Sequence, residues 1–176
     1  MNIRKHARHQ REASIYDGGF EGSLAFDQGG FNWRVPSDLQ ATSVSLDSSH
    51  PQSGAKDLRI EFTGNSNPGS VVVSQLVLVA PSKHYRVNFT ARSQDIVSGG
   101  LPILSVNDAA ADQKRLSQSQ PLAAGTTDWQ PFNLEFSVPP TTTAVVLSLQ
   151  SSNCTTSPCP IFGLIQLDSF SIEQLK

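Results

Sequence analysis

Along most of the chain, apolar and polar residues alternate one for one, the two-residue period of a strand with one buried face. Leu58, Ile60 and Phe62 share a face that Arg59 and Glu61 do not. Tyr85, Val87, Phe89 and Ala91 stand against Arg86, Asn88, Thr90 and Arg92, and Phe132, Leu134, Phe136 and Val138 repeat the pattern. Val44 with Leu46, and Val145 with Leu147 and Leu149, predict two more strands, and "LIQLDSFSIEQL" predicts the last. The segment "VVVSQLVLVAP" carries Val on both faces and reads as a central strand. No stretch sustains a helical period. Turn signals ("HPQSG", "GNSNPGS", "VSGGLP", "VPPTTT") punctuate the strands at intervals typical of an antiparallel sandwich or barrel. Residues 13–176 are therefore expected to form one all-β domain.

The first eleven residues, "MNIRKHARHQR", interrupt this reading. They are basic and almost without apolar side chains, and no apolar stretch follows as a signal peptide requires. Residues 1–12 are expected to be a basic leader or linker, disordered or a helical remnant, and the chain a piece of a larger protein. A basic arm for RNA or anionic lipid needs more charge than this.

Charged residues make up only 16% of the chain, with Ser, Thr, Asn and Gln in their place, which points to an extracytoplasmic β protein. A net charge of −2 provides no field to attract nucleic acid. No apolar run reaches the length of a membrane span, so no membrane insertion is expected. Cys154 and Cys159 flank a short Pro-containing loop, and a disulfide is the leading expectation. Two thiols with no second pair are too few for a metal site; reduced thiols are the remaining alternative. Asn88-Phe-Thr and Asn153-Cys-Thr match the glycosylation sequon, the first in mid-strand, and both are read as chance.

Sugar recognition needs flat apolar rings against pyranose C–H faces and planar polar side chains for the hydroxyls. Trp33 follows "QGGFN", a stretch that its glycines leave open, and is expected to be an exposed stacking platform. Tyr85 belongs to an inward row and is expected in the core. Tyr16, Phe26 and Phe31 suit either a groove or the core. The row Arg86, Asn88, Thr90 and Arg92 is either solvated surface or the floor of a groove, and Arg34, Arg59, Glu61 and Gln150 share its character. The acids are too scattered for a paired-carboxylate hydrolase. His50 and His84 lie in turns without a Ser or Cys elbow, so no catalytic residue is assigned.

Five segments occur in an order that adds to this picture: "DGGFE" (17–21), "HPQSGAKDLRIEF" (50–62), "VVVSQLVLVAPSKHYRVNFTAR" (71–92), "TDWQPFNLEFSVP" (127–139) and "GLIQLDSFSI" (163–172). Together they resemble the jelly-roll carbohydrate-binding modules of families four, nine and twenty-two, relatives of the galactose-binding domain. The resemblance implies an antiparallel β-sandwich of jelly-roll topology and non-catalytic polysaccharide or oligosaccharide binding, as an accessory domain beside other domains of a parent protein. It also implies that Trp129 packs in the core. It further implies a structural Ca²⁺ between the N-terminal segment and the last strand. Glu21 and Asp168 would supply carboxylates, and Gly19 and Lys56 backbone oxygens. The sequence departs from the family pattern at Asp17, where Asn is usual, at Gln166, where Trp is usual, and at Ser169, where a second Asp is usual. The expected ligand-binding set is Trp33, Arg34, Arg86, Asn88, Arg92, Gln150 and Tyr16. The alternative is a structural or protein-interaction sandwich with no sugar ligand, since fold alone does not set function.

Overall fold

The computed structural model describes residues 12–66, 69–110, 113–152, 154 and 159–176. The basic leader up to residue 11 and the Asn153 sequon lie outside the described residues. Those described form eleven strands and no helix: β1 (Ala25–Phe26), β2 (Arg34–Val35), β3 (Thr42–Asp47), β4 (Asp57–Ser66), β5 (Val71–Leu78), β6 (His84–Ser98), β7 (Pro102–Asp108), β8 (Arg115–Gln118), β9 (Gly125–Ser137), β10 (Ala144–Ser151) and β11 (Cys159–Leu175).

Two sheets face each other. One is ordered β1-β2-β5-β10-β7-β8 and the other β3-β4-β11-β6-β9. Apart from the parallel β1–β2 contact, every pairing is antiparallel. From β4 onward the long strands pass from one sheet to the other, which is the winding of a jelly roll. The expected β-sandwich is what the chain adopts. All seven strands anticipated from the sequence are present, and β5 lies inside its sheet between β2 and β10, as its two-sided Val content predicts.

The alternation resolves into the core. Leu58, Ile60 and Phe62 of β4, Val87 and Phe89 of β6, Leu134 and Phe136 of β9, and Ile165 and Leu167 of β11 are all buried between the sheets. Tyr85 is buried as expected, and its hydroxyl accepts the backbone N–H of Ala80 at 3.0 Å. An aromatic cluster closes one end. Trp33 lies 5.1 Å from Phe20 and 4.9 Å from Phe170, and Phe170 stacks on Phe89 at 5.0 Å. Each such pair adds about 0.5–1.5 kcal/mol beyond area burial.

The N-terminal turn delivers Phe20 to this cluster. A Cβ at Gly18 would run into the carbonyl of Phe170, so only glycine lets the turn come this close to β11. The same approach lets Phe170 donate its backbone N–H to the Gly18 carbonyl at 2.8 Å. At the other end Cys154 and Cys159 form the expected disulfide, with Cα atoms 5.8 Å apart. Gly99 is pressed against Cys154 Sγ, so the bridge also borders the β6–β7 turn.

Candidate functional site

The outer face of the five-stranded sheet carries a continuous row of side chains. The register aligns Ser45 of β3 with Arg59 of β4, Arg59 with Gln166 of β11, and Gln166 with Arg92 of β6. Trp129 of β9 completes the row, with the guanidinium carbon of Arg92 5.7 Å from the centre of its ring. Farther along the same strands, beyond the Leu164–Gln94 pair, Phe162 and Val97 are register partners and stand 47% and 69% exposed. Two depressions meet at Gln94 on this face. One is about 300 Å³, with Arg59, Glu61 and Leu164 among its lining residues, and the other about 290 Å³, with Arg92, Thr127 and Asp128.

Hydrogen bonds fix the row. Gln166 is buried although it lies on the outer side of β11, and its Nε2 donates to both oxygens of buried Asp57, each at 2.9 Å. Its Oε1 accepts from Arg92 Nε at 2.5 Å. Arg59 donates to Glu61 at 3.0 Å and lies 3.7 Å from Asp47. Burial pushes the Asp57 carboxyl above its ordinary value; the hydrogen bond from Gln166 opposes this and the charge of Asp47 adds to it. Among the described residues, Nη1 and Nη2 of Arg92 make no hydrogen bond or ion pair. A guanidinium with two unengaged N–H₂ groups beside a half-buried indole offers both the donors and the apolar face that a pyranose requires.

The two tryptophans exchange their expected places. Trp33 is only 2% exposed, inside the Phe20–Phe170 cluster, and its Nε1 donates to the Asp17 carbonyl at 3.0 Å. It is not an exposed platform: the backbone N–H of Ala25 bonds to the Trp33 carbonyl at 2.9 Å, which turns this segment back on itself and its indole inward. Trp129, expected in the core, sits on the outer face of edge strand β9, and its Nε1 donates to the His50 carbonyl at 3.3 Å. Its odd parity relative to Phe132, Leu134 and Phe136 dictates this.

The remaining expected ligand-binding residues are dispersed. Gln150 is buried on β10 of the six-stranded sheet, so it is no surface ligand. Arg34 is exposed on β2 of that same sheet. Tyr16, 58% exposed, brackets Gln75 of β5, its N–H bonding to Oε1 at 3.1 Å and its carbonyl accepting from Nε2 at 2.8 Å. Beside it, Phe31, Leu76 and Leu78 line a depression of about 250 Å³. Arg86 and Asn88 do share the outer face of β6 with Arg92, but carboxylates occupy them. Arg86 Nη2 donates to Glu135 at 2.6 Å, and both residues reach Glu173 at 3.5 Å. The hydrogen bond from Arg86, then that from His84, holds Glu135 below its usual range. His84 opens β6 rather than lying in a turn. Phe162 escaped sequence reasoning, although its place between inward Ile161 and Gly163 marks it as outward.

The residues expected around a cation are brought together. Glu21 Oε1 accepts from the N–H of Ala55 at 2.7 Å and of Lys56 at 3.3 Å. Buried Asp168 accepts from Ser53 N–H at 2.9 Å and Ser169 N–H at 2.5 Å. A Cβ on Gly19 would lie 3.9 Å from both Asp168 Oδ1 and Glu21 Cγ, so the three residues share one small region. Desolvation, with a further push from Glu21, raises the Asp168 carboxyl against the bonds from Ser53, Ser169 and Gln52. Lys56 turns its ammonium to the carbonyls of Glu21 and Gly22, at 3.1 and 3.3 Å. No group of three or more His, Cys, Asp or Glu capable of holding a metal occurs among the described residues, so two carboxylates would need backbone carbonyls to complete a shell. An all-oxygen donor set of this kind fits a hard cation such as Ca²⁺.

Solved structures share this build, a two-sheet antiparallel sandwich. The chain superimposes on a family 4 module, with a TM-score of 0.63 and 14% identity over 92% of this chain and 99% of that one. It superimposes on the CBM22-1 xylan-binding domain of Paenibacillus barcinonensis Xyn10C with a TM-score of 0.58 and 16% identity, over 93% and 95% of the two chains. For TmCBM61 in complex with β-1,4-galactotriose the TM-score is 0.53 and the identity 18%, over 92% and 99%. Residues 12–158 match the CBM 4/9 carbohydrate binding domain family, and the chain belongs to that family. It is a carbohydrate-binding module. No curated protein matches the sequence significantly.

Proposed function

We propose that the outer face of the five-stranded sheet binds a polysaccharide without catalysis. In this reading Trp129 and Phe162 offer apolar faces, Arg92 donates to hydroxyls, and Gln94 and Arg59 border the path. One observation carries it: the Arg92 guanidinium rests against the Trp129 indole above a satisfied polar floor, with two N–H₂ groups unengaged. The cavity near β3, lined by Pro36, Leu39, Thr42 and Ser151 among others, has no comparable exposed ring or arginine. The family supports a binding role rather than hydrolysis.

The convergence of Glu21, Gly19 and Asp168 supports a structural Ca²⁺ held by the two carboxylates and by carbonyls of Gly19 and Lys56. Bound there, the cation would supply charge compensation for buried Asp168 and tie the N-terminal turn to β11. The disulfide and the family support an extracytoplasmic module that tethers a larger protein to its polysaccharide.

Affinity electrophoresis through gels containing xylan, β-1,4-galactan or β-glucan tests the reading. Retardation by at least one of them, weakened by Trp129→Ala, is expected. Migration unchanged across a broad panel of soluble polysaccharides would favour the structural or protein-interaction alternative.

A further inference from the structure

Asp57 is fully buried beside Gln166 and presents no surface of its own to the cleft. We propose that it is a positioning residue of the sugar site, acting through Gln166 to set the orientation of Arg92 against Trp129; this rests on the reading of that face as the sugar site.

The argument follows from donor and acceptor inventory. An ionised carboxylate only accepts, so the Gln166 amide must turn its NH₂ toward Asp57, where both oxygens lie at 2.9 Å. That choice fixes Gln166 Oε1 on the opposite side, toward Arg92. Arginine only donates, and its Nε–H meets this oxygen at 2.5 Å. With Nε held from below, the planar guanidinium has one remaining edge, that of Nη1 and Nη2, and a fixed plane beside the indole 5.7 Å away. Gln166 is itself buried and also reaches Asp47 at 3.4 Å, so it has little freedom to rotate. Without Asp57 the amide NH₂ keeps only the longer contact to Asp47, at 3.4 Å, so Gln166 loses its two short anchors and holds the plane of Arg92 less firmly. The fixed edge presents two N–H₂ groups side by side, a spacing that matches two neighbouring hydroxyl oxygens of one sugar ring, so the site is assigned to glycans with an unsubstituted vicinal diol.

The test uses the unliganded protein and the NMR signal of the Arg92 Nε–H. In the wild-type chain this proton should exchange with water at least roughly tenfold more slowly than that of exposed Arg34, because it is hydrogen-bonded and half-buried. Asp57→Ala should raise the rate to near that of Arg34 and shift the near-ultraviolet circular dichroism of Trp129, whereas Asp57→Asn, which keeps an acceptor oxygen, should preserve both. Gln166→Met removes both bonds at similar volume and serves if Asp57→Ala does not fold. Wild-type exchange as fast as that of Arg34, or protection surviving both Asp57→Ala and Gln166→Met, would overturn the proposal. A chain with the protected proton and the Asp57 dependence that binds no polysaccharide would refute the sugar reading while upholding the positioning role. Among bound glycans, methylation of one hydroxyl of the diol should weaken binding; equal binding of the methylated polymer overturns the assignment to a vicinal diol.

Discussion

The guanidinium of Arg92 stands 5.7 Å from the ring centre of Trp129, the two contributed by neighbouring strands β6 and β9 of one sheet. The pair joins an arginine edge that is unengaged among the described residues to a half-exposed indole, and it divides the consequences of mutation sharply between binding and stability.

Trp129→Ala should reduce polysaccharide affinity by roughly tenfold or more, since a ring contact and a cation–π contact are lost together. The stability cost should be small, because the side chain lies on the outer face of an edge strand. Isothermal titration calorimetry and urea unfolding on the same variant separate the two effects.

Trp33→Ala should do the reverse. Removing a fully buried indole from the Phe20–Phe170 cluster costs about 3–5 kcal/mol. Urea unfolding should show that loss, and the folded fraction should keep its glycan affinity. A stable Trp33→Ala that no longer binds would restore Trp33 to the binding site.

Added Ca²⁺ should raise the unfolding midpoint and a chelator should reverse it, as expected for a ligand that binds only the folded chain. Glu21→Gln should abolish the shift without changing the fold. Identical calorimetric midpoints with Ca²⁺ and with chelator would contradict the site.

The Asp57 carboxyl is raised above its ordinary value of 3.8, chiefly by burial. The folded chain therefore holds this proton more tightly than the unfolded chain does. The stability it contributes is complete below the ordinary value and is lost as pH rises through the folded value. Asp57→Asn escapes that loss, so its stability relative to wild type should climb with pH across this window and then level off. Urea unfolding at a series of pH values, with chelator present, measures the difference; a difference that falls with rising pH would contradict it.

Much of this fold is legible from alternation alone, because each long strand of the five-stranded sheet has one buried and one wet face. β7 was not legible: Pro102 through Val106 are buried without a break, so no period marks the segment. β1, β2 and β8 are two to four residues long and give too little pattern to read. The outward face of Trp129 was written in its parity with Phe132, but the family comparison with a packing Trp argued the other way. The burial of Trp33 was not written locally at all, since it depends on Phe170 arriving from the last strand. Likewise the Asp57–Gln166 contact spans 109 positions, and nothing near either residue announces it. Convergence of Glu21, Gly19 and Asp168 was anticipated only through the resemblance.

The most direct measurement of the central claim is backbone and side-chain NMR mapping with a soluble polysaccharide that retards the protein in electrophoresis. The account predicts that shifts concentrate on Arg92, Trp129, Gln166, Gln94 and Phe162, with the Arg92 side chain among the largest. Shifts confined instead to Leu76 and Leu78 of the opposite sheet and to Tyr16 and Phe31 beside them would contradict it and move the binding face to the other side of the sandwich.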